Sequence, residues 1–168
     1  MANILIDGYN FIGTAHGNLE KARTDFIKQL QEYSTIKKHH ITVVFDGWKD
    51  GNKDETQSRS RNLTVIYSRL GEKADDVIKK ITSSGEKSWI VVSSDREVSE
   101  YALSKEHAAI GSHDFEVKLY GTLDITDSQE TGTFLHYDED DESATPKKGN
   151  PRKLSKRDKI RLQALRKL

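Results

Sequence analysis

Ile4-Leu5-Ile6-Asp7-Gly8-Tyr9-Asn10 is the stretch on which the fold turns. An uninterrupted aliphatic run reads as a strand buried on both faces, and the Asp-Gly pair stops it at a turn. The same arrangement recurs down the chain: Val43-Val44-Phe45 ends in Asp46-Gly47, and Ile90-Val91-Val92 leads through Ser93-Ser94 to Asp95. Together with Leu63 to Tyr67, the segments Asn3 to Ile6, Ile41 to Phe45 and Trp89 to Val92 give four candidate buried strands.

Helix-period segments separate them. Leu19, Ala22, Phe26, Ile27, Leu30 and Tyr33 recur at spacings of three and four, as do Ala74, Val77, Ile78 and Ile81, and Val98, Tyr101 and Ala102 open a further helix. Strands alternating with helices predict an α/β fold with a parallel, doubly wound sheet, because each crossover must return the chain and cover a face. A fifth, weaker strand is expected at Phe115 to Leu119.

At 168 residues with 34% hydrophobic content, the chain supports one compact core. No apolar run reaches the ~18 residues needed to cross a bilayer, so no membrane partner is expected. The N-terminal run meets an aspartate too early for a signal peptide. The absence of cysteine excludes disulfides, zinc-thiolate sites and thiol nucleophiles, and fits a cytoplasmic location. The formal net charge is zero, yet it divides unevenly: −1 over residues 1–123, −8 over 124–145 and +9 over 146–168. This patterning predicts a globule over 1–123, an acidic disordered linker over 124–149 and a basic segment over 150–168 that becomes helical on binding a partner. In and beside that segment Lys147, Lys148, Arg152, Lys153, Lys156 and Arg157 are the candidate contacts to nucleic-acid phosphates. Its plainer reading is a solvated tail.

In a parallel sheet all strand C-termini share one edge, where open α/β folds bind their ligands. Asp7, Asp46 and Asp95 can converge there, joined by Asp75 and Asp76 at the start of the helix after the third candidate strand. Clustered carboxylates either take up protons or bind a cation. Oxygen-only ligands without cysteine or a histidine pair suit Mg²⁺ or Mn²⁺ rather than zinc. Such an ion keeps coordination positions free for phosphate oxygens and an attacking water, which points to phosphodiester chemistry. Each aspartate taken alone has an ordinary explanation as a turn or helix-cap residue. Tyr9 and Trp48 beside this edge could stack on bases or simply pack.

Ile6-Asp7-Gly8-Tyr9-Asn10, Val44-Phe45-Asp46-Gly47, Ala74-Asp75-Asp76 and Ser93-Ser94-Asp95-Arg96-Glu97 stand in an order and spacing that resemble the YacP-like NYN domains, over roughly residues 1–122. That family is PIN-like. The resemblance implies a three-layer α/β/α (Rossmannoid) sandwich with candidate strands ordered 3-2-1-4-5, and endonucleolytic cutting of RNA with Mg²⁺ or Mn²⁺. It also implies a place in RNA turnover or on ribosome-associated RNA. By family match, Asp7 and Asp95 are the main metal ligands, Asp75 completes the acidic set, and Asp46 is the second-strand acid. Asn10 either holds the loop after the first strand or touches metal-bound water or phosphate. The sequence departs from the family at Gly71-Glu72-Lys73-Ala74-Asp75, where Lys73 replaces a small hydroxyl. Ser112 and Asp114 loosely match a later supporting pair.

Two other readings stay open on sequence: a non-catalytic RNA-binding or ribosome-associated adaptor with the same fold, and a phosphotransfer domain in which Asp46 accepts phosphate.

Overall fold

The computed structural model describes residues 1–13, 18–47, 56–131 (the backbone alone over 125–131) and 155–168. Its strands are β1 (Asn3–Asp7), β2 (His40–Phe45), β3 (Thr56–Ser60), β4 (Leu63–Tyr67), β5 (Trp89–Val92) and β6 (Ala108–Ile110). They form one sheet in the order β3-β4-β2-β1-β5-β6. All neighbours are parallel except β3, which pairs antiparallel with β4 at the edge. The expected order 3-2-1-4 of the first four candidate strands is present as β4-β2-β1-β5, extended outward by the β3 hairpin. The strand β1 lies between β2 and β5, with Ile4 opposite both Ile41 and Ile90.

Side-chain alternation divides the core into two layers. Ile4 and Ile6 of β1, Ile41, Val43 and Phe45 of β2 and Val65 of β4 face one side. There they meet α1 (Gly8–Ile12), α2 (Leu19–Lys37), α5 (Ser112–Thr131) and α6 (Lys156–Lys167). Leu5, Val44, Ile66 and Val91 face the other side, against α3 (Ala74–Ser83) and α4 (Arg96–Ser104). The result is an α/β/α sandwich. Among the described residues no helix is long and apolar enough to cross a membrane.

Three expectations are corrected. Phe115 to Leu119 is not a strand but the start of α5: Phe115 and Leu119 are fully buried while Val117 between them is 59% exposed, a spacing of four that belongs to a helix. The last strand is instead the short Ala108–Ile110, which its parallel pairing with β5 holds in place. The acidic linker does not begin at residue 124, because α5 continues to Thr131. The rest of that linker, with Trp48, His136, Lys147, Lys148, Arg152 and Lys153, lies outside the described residues.

The third correction concerns the basic end. Helix α6 is docked on its own globule, with Ala164 and Leu168 buried at 3% and 5% exposure in the α2/α5 layer. Arg161 bonds Asp114 at 2.6 Å, and the Tyr33 hydroxyl donates to the Leu168 carbonyl at 3.1 Å. Ser155 caps the helix in a reciprocal capping box with Asp158, so its start is fixed locally while its apolar stripe is fixed by packing. Lys156 and Arg157 are exposed in its first turn. Burying a carboxylate in this interface should cost about 2–4 kcal/mol. Ala164→Asp is therefore expected to lower the urea midpoint clearly, whereas a solvated helix would tolerate it with little change.

Candidate active site

The alternation that builds the two layers also aims the acids. Asp7 shares the side of Leu5, and Asp46 that of Val44, so both strand-end carboxylates turn toward the face carrying α3 and α4. The N-termini of those helices arrive at the same edge, bringing Asp75 in the first turn of α3 and Asp95 as the N-cap of α4. Asp7, Asp46, Asp75 and Asp95 line one open cleft of about 490 Å³ together with Tyr9, Asn10 and Lys73.

Space accounts for the two glycines that follow strand-end aspartates. A Cβ on Gly8 would stand 2.3 Å from the buried Phe45 ring, and one on Gly47 would stand 1.7 Å from the Ser68 carbonyl oxygen. Both positions require the backbone to pass closer than any side chain allows. The Gly47 amide then donates to the Ser68 hydroxyl at 3.0 Å, which in turn donates to the Glu72 carbonyl at 2.6 Å, tying the end of β2 to the loop that enters α3.

Each of three aspartates uses one oxygen as a backbone cap. Asp7 Oδ1 accepts from the Asn10 amide at 3.1 Å, and Asp95 Oδ1 from those of Glu97 and Val98 at 2.7 and 3.3 Å. Asp46 Oδ1 accepts from the Ala74 amide at 2.6 Å, across 28 residues. The reason for this long-range cap is chemical: the local N-cap of α3 is Lys73, whose side chain cannot accept a bond. Capping thus explains one oxygen of each carboxylate; among the described residues nothing donates to the other. Asn10 is a brace. Its Oδ1 accepts from the Ser94 amide at 2.7 Å and the Ser112 hydroxyl at 3.1 Å, joining α1 to the turn after β5 and to the head of α5. Both partners donate, so the amide orientation is fixed and Nδ2 is left without an acceptor among the described residues. Asp114 does not join the cleft, since its Oδ2 is paired with Arg161 of α6.

Electrostatically the cleft is frustrated. Asp7 is only 6% exposed, and burial, with added repulsion from Asp75, Asp46 and Asp95, pushes its pKa up to about 7 despite the opposing Asn10 amide. Burial and Asp95 likewise raise Asp75. The nearby cations are largely committed: Lys79 pairs with Glu97, while Lys80 and Arg69 pair with Glu72. Lys73 is on the rim, exposed, and makes no ion pair with these aspartates. The donor set is all oxygen, the kind that hard divalent cations take. Among the described residues, however, no three His, Asp or Glu side chains stand close enough to enclose a metal ion. The carboxylates share a mouth without forming a cage, consistent with their turning toward helix-end amides.

A sheet of this order, with acids gathered at the C-terminal edge of its central strands, is shared by the class of PIN-like domains. Within it, the chain belongs to the YacP-like NYN domain family, whose sequence profile matches residues 4–167 and so includes α6. The chain is 30% identical over 88 residues to the uncharacterized protein YacP of Bacillus subtilis, an alignment spanning 48% of this chain and 51% of that protein, or about half the relative's length. Its fold is similar to two crystal structures of Rae1 (YacP) from the same organism. One, a point variant, matches at TM-score 0.63 and 20% identity, covering 79% of this chain and 83% of that one. The other matches at TM-score 0.58 and 22% identity, covering 79% and 86%.

The raised pKa of Asp7 has a sign. Its folded value of about 7 lies above the ordinary 3.8, so between these values the folded state holds the proton more tightly. Stability from this group therefore falls as pH rises from about 4 to about 7. Asp7→Asn keeps the cap oxygen and removes the charge. In EDTA it should raise stability at pH 8 by on the order of 2–4 kcal/mol. Melting curves at pH 8 and pH 4.5 are expected to show that gain shrinking on the acid side.

Proposed function

We propose that this protein is a metal-dependent endoribonuclease that hydrolyses RNA phosphodiester bonds, acting in RNA turnover or on ribosome-associated RNA. The observation that carries this reading is the cleft in which four aspartates converge and one of them, Asp7, is buried among acids. Asp7, Asp75 and Asp95 would hold Mg²⁺ or Mn²⁺. Such a cation, when bound, supplies Lewis-acid polarisation of the phosphate and makes an attacking water more acidic.

The chain's own groups supply the rest. Asp46 holds α3 in place through the Ala74 amide, which fixes Asp75, and its second oxygen can orient a water. The Asn10 amide, braced on Ser94 and Ser112, presents Nδ2 to a phosphate oxygen. The N-termini of α3 and α4 favour the negative charge that builds on the phosphate. Tyr9, half-buried on the rim with its ring 5.1 Å from Phe45, offers a firm surface on which a base can stack. A water nucleophile leaves a 5′-phosphate and a 3′-hydroxyl and needs no ribose 2′-hydroxyl. The choice of RNA over DNA therefore rests on family membership.

A non-catalytic RNA-binding adaptor is the second reading, favoured by the absence of a ready three-ligand cage among the described residues. One experiment separates the two. Purified protein with Mn²⁺ should cut single-stranded RNA, EDTA should abolish cutting, and Asp7→Asn and Asp95→Asn should each slow it by about a hundredfold or more. Cutting at the wild-type rate in either variant or in EDTA defeats the nuclease mechanism. RNA binding without any cutting establishes the adaptor.

A further inference from the structure

The net charge of −1 over residues 1–123 hides a second polarity. At the edge of the sheet opposite the acidic cleft, where the parallel strands begin, a groove of about 270 Å³ is lined by Arg59, Arg61, Lys87 and His40 and by no acidic residue. It exists because of a mismatch in cover. The ten-residue α3, about 15 Å long, ends at Ser83, while the β3–β4 hairpin extends the sheet outward past it. Thr42, Thr64 and Ile66 are left as a floor at that lower corner. Arg59 projects from the exposed edge strand, and Arg61 follows in the tight turn with φ of 51°. Lys87 places its ammonium 5.9 Å above the ring of Trp89, which keeps it over the groove. Among the described residues none of these three cations has a carboxylate partner, in contrast to Arg69, Lys79, Lys80, Arg96 and Arg161, which all do.

The geometry points to this groove as a binding site for the phosphate backbone of RNA, separate from the cleft. Uncompensated arginines in a concavity are costly to keep apart from counterions, and a polyanion relieves that cost by releasing them. Asn62 and Gln57 on the hairpin and the hydroxyl of Thr64 add neutral groups suited to sugar and phosphate oxygens. The aspartates of the cleft repel a polyanion, so a cationic site at the far edge gives RNA a hold away from them. The inference rests on the proposed function only for naming the polyanion as RNA.

Binding is measured with the full chain in EDTA, by anisotropy of a short fluorescent single-stranded RNA over a salt series. Arg59→Gln combined with Arg61→Gln is expected to weaken binding about tenfold at low salt and to reduce the slope of log K against log salt by roughly 1.4, about 0.7 for each phosphate no longer neutralised. Lys28→Gln with Lys105→Gln removes the same charge elsewhere and should leave the slope near the wild-type value. The proposal is overturned if the wild type binds no RNA, if the arginine pair changes neither affinity nor slope, or if the lysine pair changes both equally. Displacement of RNA by poly-glutamate at matched charge would reassign the groove to an acidic protein and overturn the RNA assignment. Melting curves of the arginine variant are expected to match the wild type, so that weaker binding reflects the charges and not a damaged fold. Cutting of a trinucleotide with Mn²⁺ should be unchanged in it, and absence of cutting in every form would count against the nuclease reading alone.

Discussion

The arrangement depends on one constraint: a carboxylate at the tip of the central strand is held out of water among other carboxylates. Asp7 cannot move to solvent, because β1 is clamped on both sides by β2 and β5 and Gly8 is pressed against Phe45. Nor can its neighbours retreat easily. Asp46 and Asp95 are each tied by a cap to the start of a helix, so relaxing the repulsion would uncap α3 or α4. Stability is thereby given up at the place where charge must be available, which is how sites are commonly made from otherwise ordinary folds.

Much of this was legible in the sequence because it follows from strong local signals. Consecutive Ile, Leu and Val before Asp7, Asp46 and Asp95 mark buried parallel strands, and parallel strands oblige their C-terminal acids to share an edge. What escaped is what local signals do not carry. Thr56 to Ser60 contains no large apolar residue, so β3 is held by pairing with β4 rather than by burial. Ala108 and Ala109 have little strand preference and are recruited by β5. Phe115, Val117 and Leu119 satisfy a period of two as well as a separation of four, and only burial distinguishes them.

The site shows the same division. The identities of the acids were readable, but their second jobs were not. That Asp46 caps a helix 28 residues away follows from the lysine at the local cap position, a link visible only in three dimensions. The basic end misled for a related reason. A stripe as thin as Ala164 and Leu168 gives a weak amphipathic signal, and ten cations in residues 146–168 outweigh it in any average. Burial in the same cluster as Tyr33, Phe115 and Leu119, over β6, nonetheless makes α6 part of the core.

That docking has a consequence for how the molecule comes into being. The Tyr33 to Leu168 bond joins positions 135 residues apart, while every side chain of the acidic cleft and its brace lies between residues 7 and 112. During vectorial synthesis the pocket can therefore assemble before α6 emerges to cover the opposite layer. For that interval the nascent chain presents a nearly complete acid pocket on a half-closed body, and because α5 already packs on α2, only the chain between Thr131 and Ser155 is left to close when α6 docks.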